Sequence, residues 1–591
     1  MNRWGRCAVV VAAIALPLVA ESAEVPAWVA KSDVSSMLLL RTMADFAPES
    51  ASQLGLEGYD ERVRDLLPDY RGRYRRAVTK VIVDLERRRA HQKDPLLLQD
   101  LDITLKAAHD EVREIDLSEK YLLPYFPVDK IVFGGLRQLL DAQVKPERQK
   151  LAVARLRRYA GLIGGTTPLC ALAEQRTREK LQQPGLLPPI RAQVEKDLAN
   201  TTAMVNGIEQ LFTQYKVDGW QWPLAAFKAQ LATYQSFVRA ELLTRAREDF
   251  RLPPELYAFN LEQIGVDIAP AELIKEAHAT FDEIIAQMKA LAPKVAKERH
   301  WKSSDYRDVL RALKKEQLVG ADILPLYQAR LKSIEEIIAR EKLVTLPARP
   351  ARIRLASEAE SAQTPIPNMR APRLIHNTGE QGEFVLPLNI PAPPGSKQAT
   401  QKLDDFTFAA AAWTLTAHEA RPGHELQFDN MVEHGVSLAR AVFAFNSTNV
   451  EGWGLYAEWM MLPFMPADGQ LVSLQLRLQR AARAFLDPEL QAGIVTPAQA
   501  KKVLTDEVLL SDGLANSEVE RYTFRSPGQA TSYYYGYTKL LALRKEVEAK
   551  LGAKFDQLRL HDFILSQGLL PPALMRKAVL DELVPATPSA Q

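Results

Sequence analysis

The sequence predicts a mainly α-helical protein with one small β-sheet. Long amphipathic stretches run from about 31 to 340, a proline-rich stretch with short β-like runs covers about 346 to 397, and helical periodicity returns from about 404 to 583. Apolar residues three and four apart indicate helices packed on one face. With 591 residues, 47% of them hydrophobic and 25% charged, the chain has the composition of a folded protein with a large core.

An export signal is predicted at the N-terminus. Arg3 and Arg6 precede an apolar run over about 7–20, and small residues that allow cleavage follow it. Because this run is shorter than the ~20 residues of a spanning helix, a cleaved signal over 1–23 is preferred to a membrane anchor. We therefore expect a mature chain that begins near Glu24, is periplasmic or secreted, and makes no stable membrane insertion.

Charge and cysteine content limit the possible partners and crosslinks. The chain has 75 Lys+Arg against 73 Asp+Glu, a formal net charge of +2. Such a balance creates no global field that would gather nucleic acid, so no nucleic-acid partner is expected. One of the two cysteines, Cys7, lies in the predicted signal, which leaves Cys170 without a partner for an internal disulfide.

The proline-rich stretch predicts a boundary between two lobes. Residues 24–345 would form an N-terminal helical lobe, and residues 346–591 would hold the small sheet and the helices that carry the chemistry.

The runs at 352–355 and 383–388 predict strands, with a disordered linker as the alternative. The second run precedes the most motif-rich helix, and we expect it to be an edge strand that pairs with an extended peptide.

A metal site is predicted at residues 418–424, His-Glu-Ala-Arg-Pro-Gly-His. The His-Glu pair is that of the common zinc-peptidase helix, but the second histidine follows after six residues rather than four. At ~100° per residue, a straight helix would hold His418 and His424 ~120° apart. Pro422-Gly423 interrupts regular helix geometry, and we expect a two-residue bulge to return His424 to the metal. Taken alone, the segment would also fit an ordinary polar helix surface.

A second predicted helix supplies carboxylates. Glu451 and Glu458 lie seven residues apart, and seven helical steps return to within ~20° of the same face. One carboxylate can therefore bind metal while the other orients a ligand or binds substrate. A set of His418, His424 and Glu451 would leave a fourth zinc position open for water, with Glu458 as the second choice for the third ligand.

These segments resemble the paired motifs of the bacterial domain of unknown function 885 (DUF885) family. The first motif is His-Glu-Ala-Arg-Pro-Gly-His at 418–424, and the second is Glu-Gly-Trp-Gly-Leu-Tyr-Ala-Glu at 451–458. Further similar segments lie at Pro48–Ala51 with Leu54-Gly55, at Pro527–Tyr533 followed by Gly536, and at His561–Gly568. The resemblance therefore spans most of the mature chain.

The resemblance implies kinship with helical gluzincin zinc peptidases of the thimet oligopeptidase, angiotensin-converting enzyme and carboxypeptidase Taq types. Those proteins place their two histidines four residues apart, so this chain departs from them at His424. The implied fold is a two-lobed, helical, metallopeptidase-like body with the small sheet beside the active-site cleft. Glu451 matches the downstream ligand glutamate by position and context.

By this interpretation the protein is a zinc metallopeptidase that hydrolyses oligopeptides. One Zn²⁺ per chain, held by His418, His424 and Glu451, would activate water and polarise the scissile carbonyl. Glu419 would act as general base. Tyr533 would stabilise the tetrahedral oxygen, with aromatic packing as the alternative. Two imidazoles and a carboxylate favour zinc over other divalent metals.

Four further residues are predicted to contact substrate. Arg521 would bind a substrate carboxylate bidentately, with a structural ion pair as the equal alternative. The other candidates are Tyr522, Tyr535 and Glu458. Two other functions stay open: a noncatalytic peptide-binding or envelope protein, and a zinc hydrolase of a nonpeptide amide.

Overall fold

The chain is mainly helical with a small three-stranded sheet, as predicted. A computed structural model describes residues 26–390 and 401–586. The predicted signal at 1–23 lies outside this part of the chain. Among the helices in the described ranges, none combines the length and the apolar character needed to cross a bilayer.

Prolines lie in or directly after most of the turns between the helices that precede the sheet. These helices are α1 (Ala27–Phe46), α2 (Pro48–Leu54), α3 (Tyr70–His91), α4 (Pro95–Tyr121), α5 (Val128–Arg137), α6 (Pro146–Gln149), α7 (Leu151–Tyr159), α8 (Leu169–Arg178), α9 (Arg191–Gln214), α10 (Gln221–Phe237), α11 (Pro254–Gln263), α12 (Pro270–Glu298), α13 (Tyr306–Leu313) and α14 (Ile323–Glu341). Proline fits the first turn because its missing N–H has no helical acceptor there. At α4, Asp94 also accepts hydrogen bonds from the amides of Leu96 and Leu97.

The sheet has strand order β1-β3-β2. Strand β1 (Arg352–Leu355) runs parallel to β3 (Glu383–Leu386), and β2 (Asn368–Arg370) runs antiparallel to β3. A separate two-stranded ladder joins β4 (Asn389–Ile390) and β5 (Gln401–Lys402). Both predicted runs are strands, but the prediction that the second is an edge strand is wrong. Strand β3 is central and buried along its length, and β2, which carries no apolar run, forms an edge.

Ten more α-helices follow in the described chain, with short π-helical and 3-10 turns between them. They are α15 (Glu358–Gln363), between β1 and β2, and then α16 (Ala409–Glu419), α17 (His424–His434), α18 (Ser447–Met461), α19 (Ala467–Gln491), α20 (Pro497–Asp506), α21 (Asp512–Glu520), α22 (Ser532–Leu551), α23 (Gln557–Ser566) and α24 (Pro572–Ala578). Helix α19 is buried on nearly every face, as expected of a helix at the centre of a large body.

Three large hydrophobic cores lie in the described chain, and one of them packs α16–α18 against α22 and α23. Another is built mainly from α5 and α7–α10, with Phe133, Phe212 and Phe227 fully buried. The third packs α12–α14 against α16 and α19, and includes Met288 and Phe485. The α12–α14 core contains residues from before and after the predicted lobe boundary between residues 345 and 346. The boundary itself stays a prediction.

A buried histidine ties α18 to α23. His561 donates a hydrogen bond from Nδ1 to the Leu343 carbonyl (2.6 Å), and its Nε2 accepts one from the Tyr456 hydroxyl (2.9 Å). Both contacts suit a neutral imidazole. Burial, assisted by the charge of Arg544, lowers the pKa of His561 to about 4.

Acid is therefore expected to destabilise the fold through His561. Between pH 6.5 and 4 the unfolded imidazole binds a proton that the folded one does not, so stability present above pH 6.5 is lost as pH falls through this window. We expect the free energy of unfolding to fall between pH 7 and 4.5 by about 2 kcal/mol more in the wild type than in His561→Asn. Urea unfolding at a series of pH values measures this difference. Equal pH slopes for the two proteins would contradict it.

Candidate metal centre

The two histidines flank a break between helices α16 and α17. Helix α16 ends one residue after His418, and α17 begins at His424. The intervening turn is tight, since a Cβ on Gly423 would lie 1.9 Å from the His418 carbonyl oxygen. The Trp453 indole donates a 2.9 Å hydrogen bond to the carbonyl of Pro422. The predicted two-residue bulge is therefore wrong in form, because the chain leaves one helix and starts another.

His418, His424 and Glu451 converge at this break. Their ligand atoms all lie within 4.8 Å of one another. Glu451 Oε2 is 3.4 Å from His418 Nε2 and 3.3 Å from His424 Nε2. Two donors bound to one tetrahedral zinc ion at their usual distances are about 3.4 Å apart. The spacing of the three side chains therefore fits a single zinc ion.

Gly454 makes room for both imidazoles. It lies on α18, three residues after Glu451. A Cβ at this position would lie 2.7 Å from His418 Cε1 and 2.8 Å from His424 Cε1. Carbon atoms at such distances overlap, so only glycine lets α18 approach the two rings this closely. Sequence analysis missed this role, although the Glu-Gly-Trp-Gly order places a glycine one turn from the carboxylate.

Glu458 lies behind His418 and is fully buried. Its Oε1 is 2.8 Å from His418 Nδ1, and its Oε2 accepts a 2.8 Å hydrogen bond from the Thr414 hydroxyl. A carboxylate in this place favours a proton on Nδ1 and leaves Nε2 free for a metal. The structure corrects the prediction that Glu458 binds substrate, because its carboxylate does not reach open space. Glu451, rather than Glu458, joins the two histidines.

A cleft of about 900 Å³ opens onto the cluster. Its wall includes Glu419, His424, Glu451 and Tyr533. Glu419 follows His418 in the chain, and its side chain lines the cleft. Burial raises the pKa of Glu419, and burial together with the Glu451 charge raises the pKa of Tyr533. Burial lowers the pKa of His418, but its carboxylate neighbours outweigh this effect and raise it to about 9.

Close packing of α22 on α18 brings Tyr533 to the centre. A Cβ on Gly536 would lie 1.9 Å from the Thr448 carbonyl oxygen, so the two helices nearly touch. The Tyr533 ring lies almost parallel to the His418 ring, with centroids 6.2 Å apart. Arg521 Nη1 donates a 3.3 Å hydrogen bond to the Tyr533 hydroxyl. Tyr533 and Arg521 thus lie where the sequence analysis placed them, on the cleft.

The structure places two other predicted substrate contacts away from the cleft. Tyr522 is fully buried in the core, and its hydroxyl donates a 2.9 Å hydrogen bond to Glu518. The Tyr535 hydroxyl donates to Asp267. Each residue turns a helix by ~100°, so residues one or two positions from a cleft-facing residue point in other directions. The cleft-facing residues here are Arg521 and Tyr533. Neither Tyr522 nor Tyr535 is a substrate contact in this arrangement.

Other parts of the cleft wall were not anticipated from the sequence. Edge strand β2 forms one side of it. Apolar side chains form another, among them Phe428, Val450 and Phe445, which is 54% exposed. Arg525 joins Arg521 on the wall. The pattern of β2 is too short and too polar to predict a strand, and cleft arginines resemble surface arginines in sequence.

Comparisons with known proteins identify relatives of the whole fold. The family model described as "Bacterial protein of unknown function (DUF885)" matches residues 48–579. The crystal structure of a "putative lipoprotein" from Colwellia psychrerythraea has a TM-score of 0.74 at 19% identity, covering 93% of this chain and 99% of that one. A "putative lipoprotein of unknown function" from Shewanella oneidensis has a TM-score of 0.68 at 19% identity, covering 92% and 99%. At this identity the likeness shows the fold alone. No curated protein matches the sequence.

Proposed function

The chain belongs to the DUF885 family of bacterial proteins of unknown function, and from its own side chains we propose that it is a zinc-dependent peptidase that hydrolyses oligopeptides. The observation that carries the proposal is the convergence of His418, His424 and Glu451 on a cleft wall that also bears Glu419. One Zn²⁺ per chain would be held by the first three residues.

The donor set supports zinc. Two imidazoles and one carboxylate are a common catalytic zinc set that leaves a fourth position open. Glu458 behind His418 supplies the carboxylate–histidine contact typical of such centres. Zinc bound there would polarise the scissile carbonyl and lower the pKa of a bound water.

The protein side chains then handle the protons. Glu419 accepts a proton from the attacking water and delivers it to the leaving amine, so no covalent link to the enzyme forms. The Tyr533 hydroxyl donates a hydrogen bond to the oxygen on which negative charge develops. Arg521, which donates to that hydroxyl, holds the phenol in place and adds positive charge beside it.

The cleft walls suit an extended peptide. Strand β2 is a sheet edge on the cleft, and a peptide can pair with its free backbone groups. We place this cleft between two helical lobes, as in the gluzincin peptidases, where its depth admits oligopeptides and excludes folded proteins. Phe445 and the apolar residues near it would receive an apolar side chain.

We place the protein in the periplasm or outside the cell. The predicted signal at 1–23 supports export. The description of two similar structures as lipoproteins agrees with export as well.

A substrate panel tests the proposed activity. Zinc-loaded protein is incubated with internally quenched peptides and with nonpeptide amides, with and without a chelator. We expect peptide cleavage that the chelator abolishes and added zinc restores. Cleavage confined to nonpeptide amides would favour the amide hydrolase instead, and peptide binding without any cleavage would favour a noncatalytic binding protein.

A further inference from the structure

Building on the proposed peptidase function, we propose that Arg521 and Arg525 together bind a carboxylate of the substrate. This carboxylate is either the C-terminal group of the peptide or an acidic side chain close to the scissile bond. Such a site makes the protein selective for peptides that carry a carboxylate near the cleaved bond. The metal centre alone does not specify this substrate class.

Both arginines belong to one short helical turn on the cleft wall. They lie four residues apart in the π-helical turn Arg521–Arg525, between α21 and α22. Both line the cleft that Glu419, Glu451 and Tyr533 also line. Their positions therefore present two guanidinium groups to the same ligand.

The carboxylates nearest to these two cations bind other cations more closely. Glu518 is already bound by Arg483 through two hydrogen bonds of 2.7 and 2.8 Å, and its contact with Arg521 is 3.5 Å long. Glu520 binds Lys196 and lies 4.0 Å from Arg525. In this cluster, two carboxylates face four cations.

Arg525 has the weakest pairing of the cluster. Its Nη1 donates a 3.0 Å hydrogen bond to the Ser517 hydroxyl, a neutral partner. Burial and the charge of Arg521 lower the pKa of Arg525 and outweigh the opposing charges of Glu520 and Glu518. Keeping a cation in such a place is costly unless an anion joins it. A substrate carboxylate would supply that anion.

Two other arginines also line the cleft. Arg370 is paired with Asp141, so its charge is compensated within the protein. Arg137 shares the Glu360 carboxylate with Arg354. Arg521, by contrast, contacts Tyr533, and Arg525 belongs to the same turn, so the carboxylate site is placed there.

The site lies close to the proposed reaction centre. Arg521 Nη1 is 3.3 Å from the Tyr533 hydroxyl. A carboxylate held by Arg521 would thus sit within about one residue of the bond that is cleaved. This placement fits release of a C-terminal residue or a very short C-terminal fragment.

Ligand binding to an inactive variant tests the site without turnover. Zinc-loaded Glu419→Gln protein is titrated calorimetrically with three N-acetylated trialanine ligands: the free acid, the amide, and the amide with glutamate as the last residue. Charge-assisted bidentate pairing predicts that one or both anionic ligands bind roughly ten- to a hundredfold more tightly than the neutral amide. Preference for the free acid identifies the C-terminal group, and preference for the glutamate amide identifies a side chain.

Second-site variants in the same background locate the preference. Arg525→Gln is expected to bring the anionic and neutral ligands to similar affinity, while Arg525→Lys keeps part of the difference. Arg370→Gln removes a cleft arginine that is already paired with Asp141, and this variant should retain the preference for the anionic ligands.

Equal affinities for all three ligands, or no binding of any, would overturn the inference. A wild type that cleaves peptides but lacks the preference refutes this inference alone, whereas a wild type that cleaves none refutes the proposed activity.

Discussion

Glu419→Gln is expected to lower the rate of peptide hydrolysis by roughly 10²- to 10⁴-fold while the protein keeps its zinc. Glutamine has the shape of glutamate but cannot accept and return a proton at neutral pH. The residue belongs to the cleft wall and is not one of the three converging ligands, so the metal centre should survive the change. Initial rates on a quenched peptide and zinc content by elemental analysis give the two readouts.

A conservative change of an exposed residue that does not itself line the cleft provides the control. Glu358→Gln alters an exposed residue of α15 and should leave the rate at the wild-type value. Full activity in Glu419→Gln would remove the proposed general base and, with it, the hydrolase mechanism. Loss of zinc together with activity would instead make Glu419 part of the metal site.

Gly454→Ala is expected to weaken zinc binding by about a hundredfold or more. The added methyl group would meet His418 Cε1 at 2.7 Å and His424 Cε1 at 2.8 Å, so at least one ring must move. A ligand ring displaced by a few tenths of an ångström no longer matches the distances that zinc requires. Alanine is otherwise favoured over glycine inside a helix, which offsets part of the cost of moving a buried ring in the metal-free protein. Competition with a chromogenic chelator measures the affinity.

Gly134→Ala is a matched control for this substitution. Gly134 also lies inside a helix, but a Cβ there would meet nothing closer than 3.9 Å. This variant should bind zinc as the wild type does. Wild-type zinc affinity in Gly454→Ala would show that the two rings can move apart without loss, and would contradict the tight packing of α18 on the metal centre.

Local patterns predicted much of the fold and the centre of the site. Helices follow from apolar spacing and from prolines at their first turns, and β1 and β3 follow from short β-like runs. The three converging side chains follow from the residue types and order in two motifs, but the form of the helix break that brings His424 to His418 was not predicted. For Glu458 two roles were predicted, orienting a ligand or binding substrate, and its buried place beside His418 Nδ1 fits only the first.

The remaining features depend on contacts between distant segments. Tyr522 and Tyr535 were misassigned because proximity in sequence to a cleft residue says nothing about direction on a helix. Strand β2 pairs with β3 across a loop, and no local pattern marks it. The need for glycine at 454 becomes visible only when two imidazoles from other helices occupy the space beside it.

Zinc content of the purified mature protein tests the central claim most directly. Wild-type protein and His424→Ala are dialysed against trace zinc at neutral pH and analysed for metal per chain. The proposed centre predicts close to one zinc per wild-type chain and loss of most of it in His424→Ala. A wild type that contains no zinc and takes up none when it is added, or a His424→Ala variant with full zinc content, would contradict the metal centre.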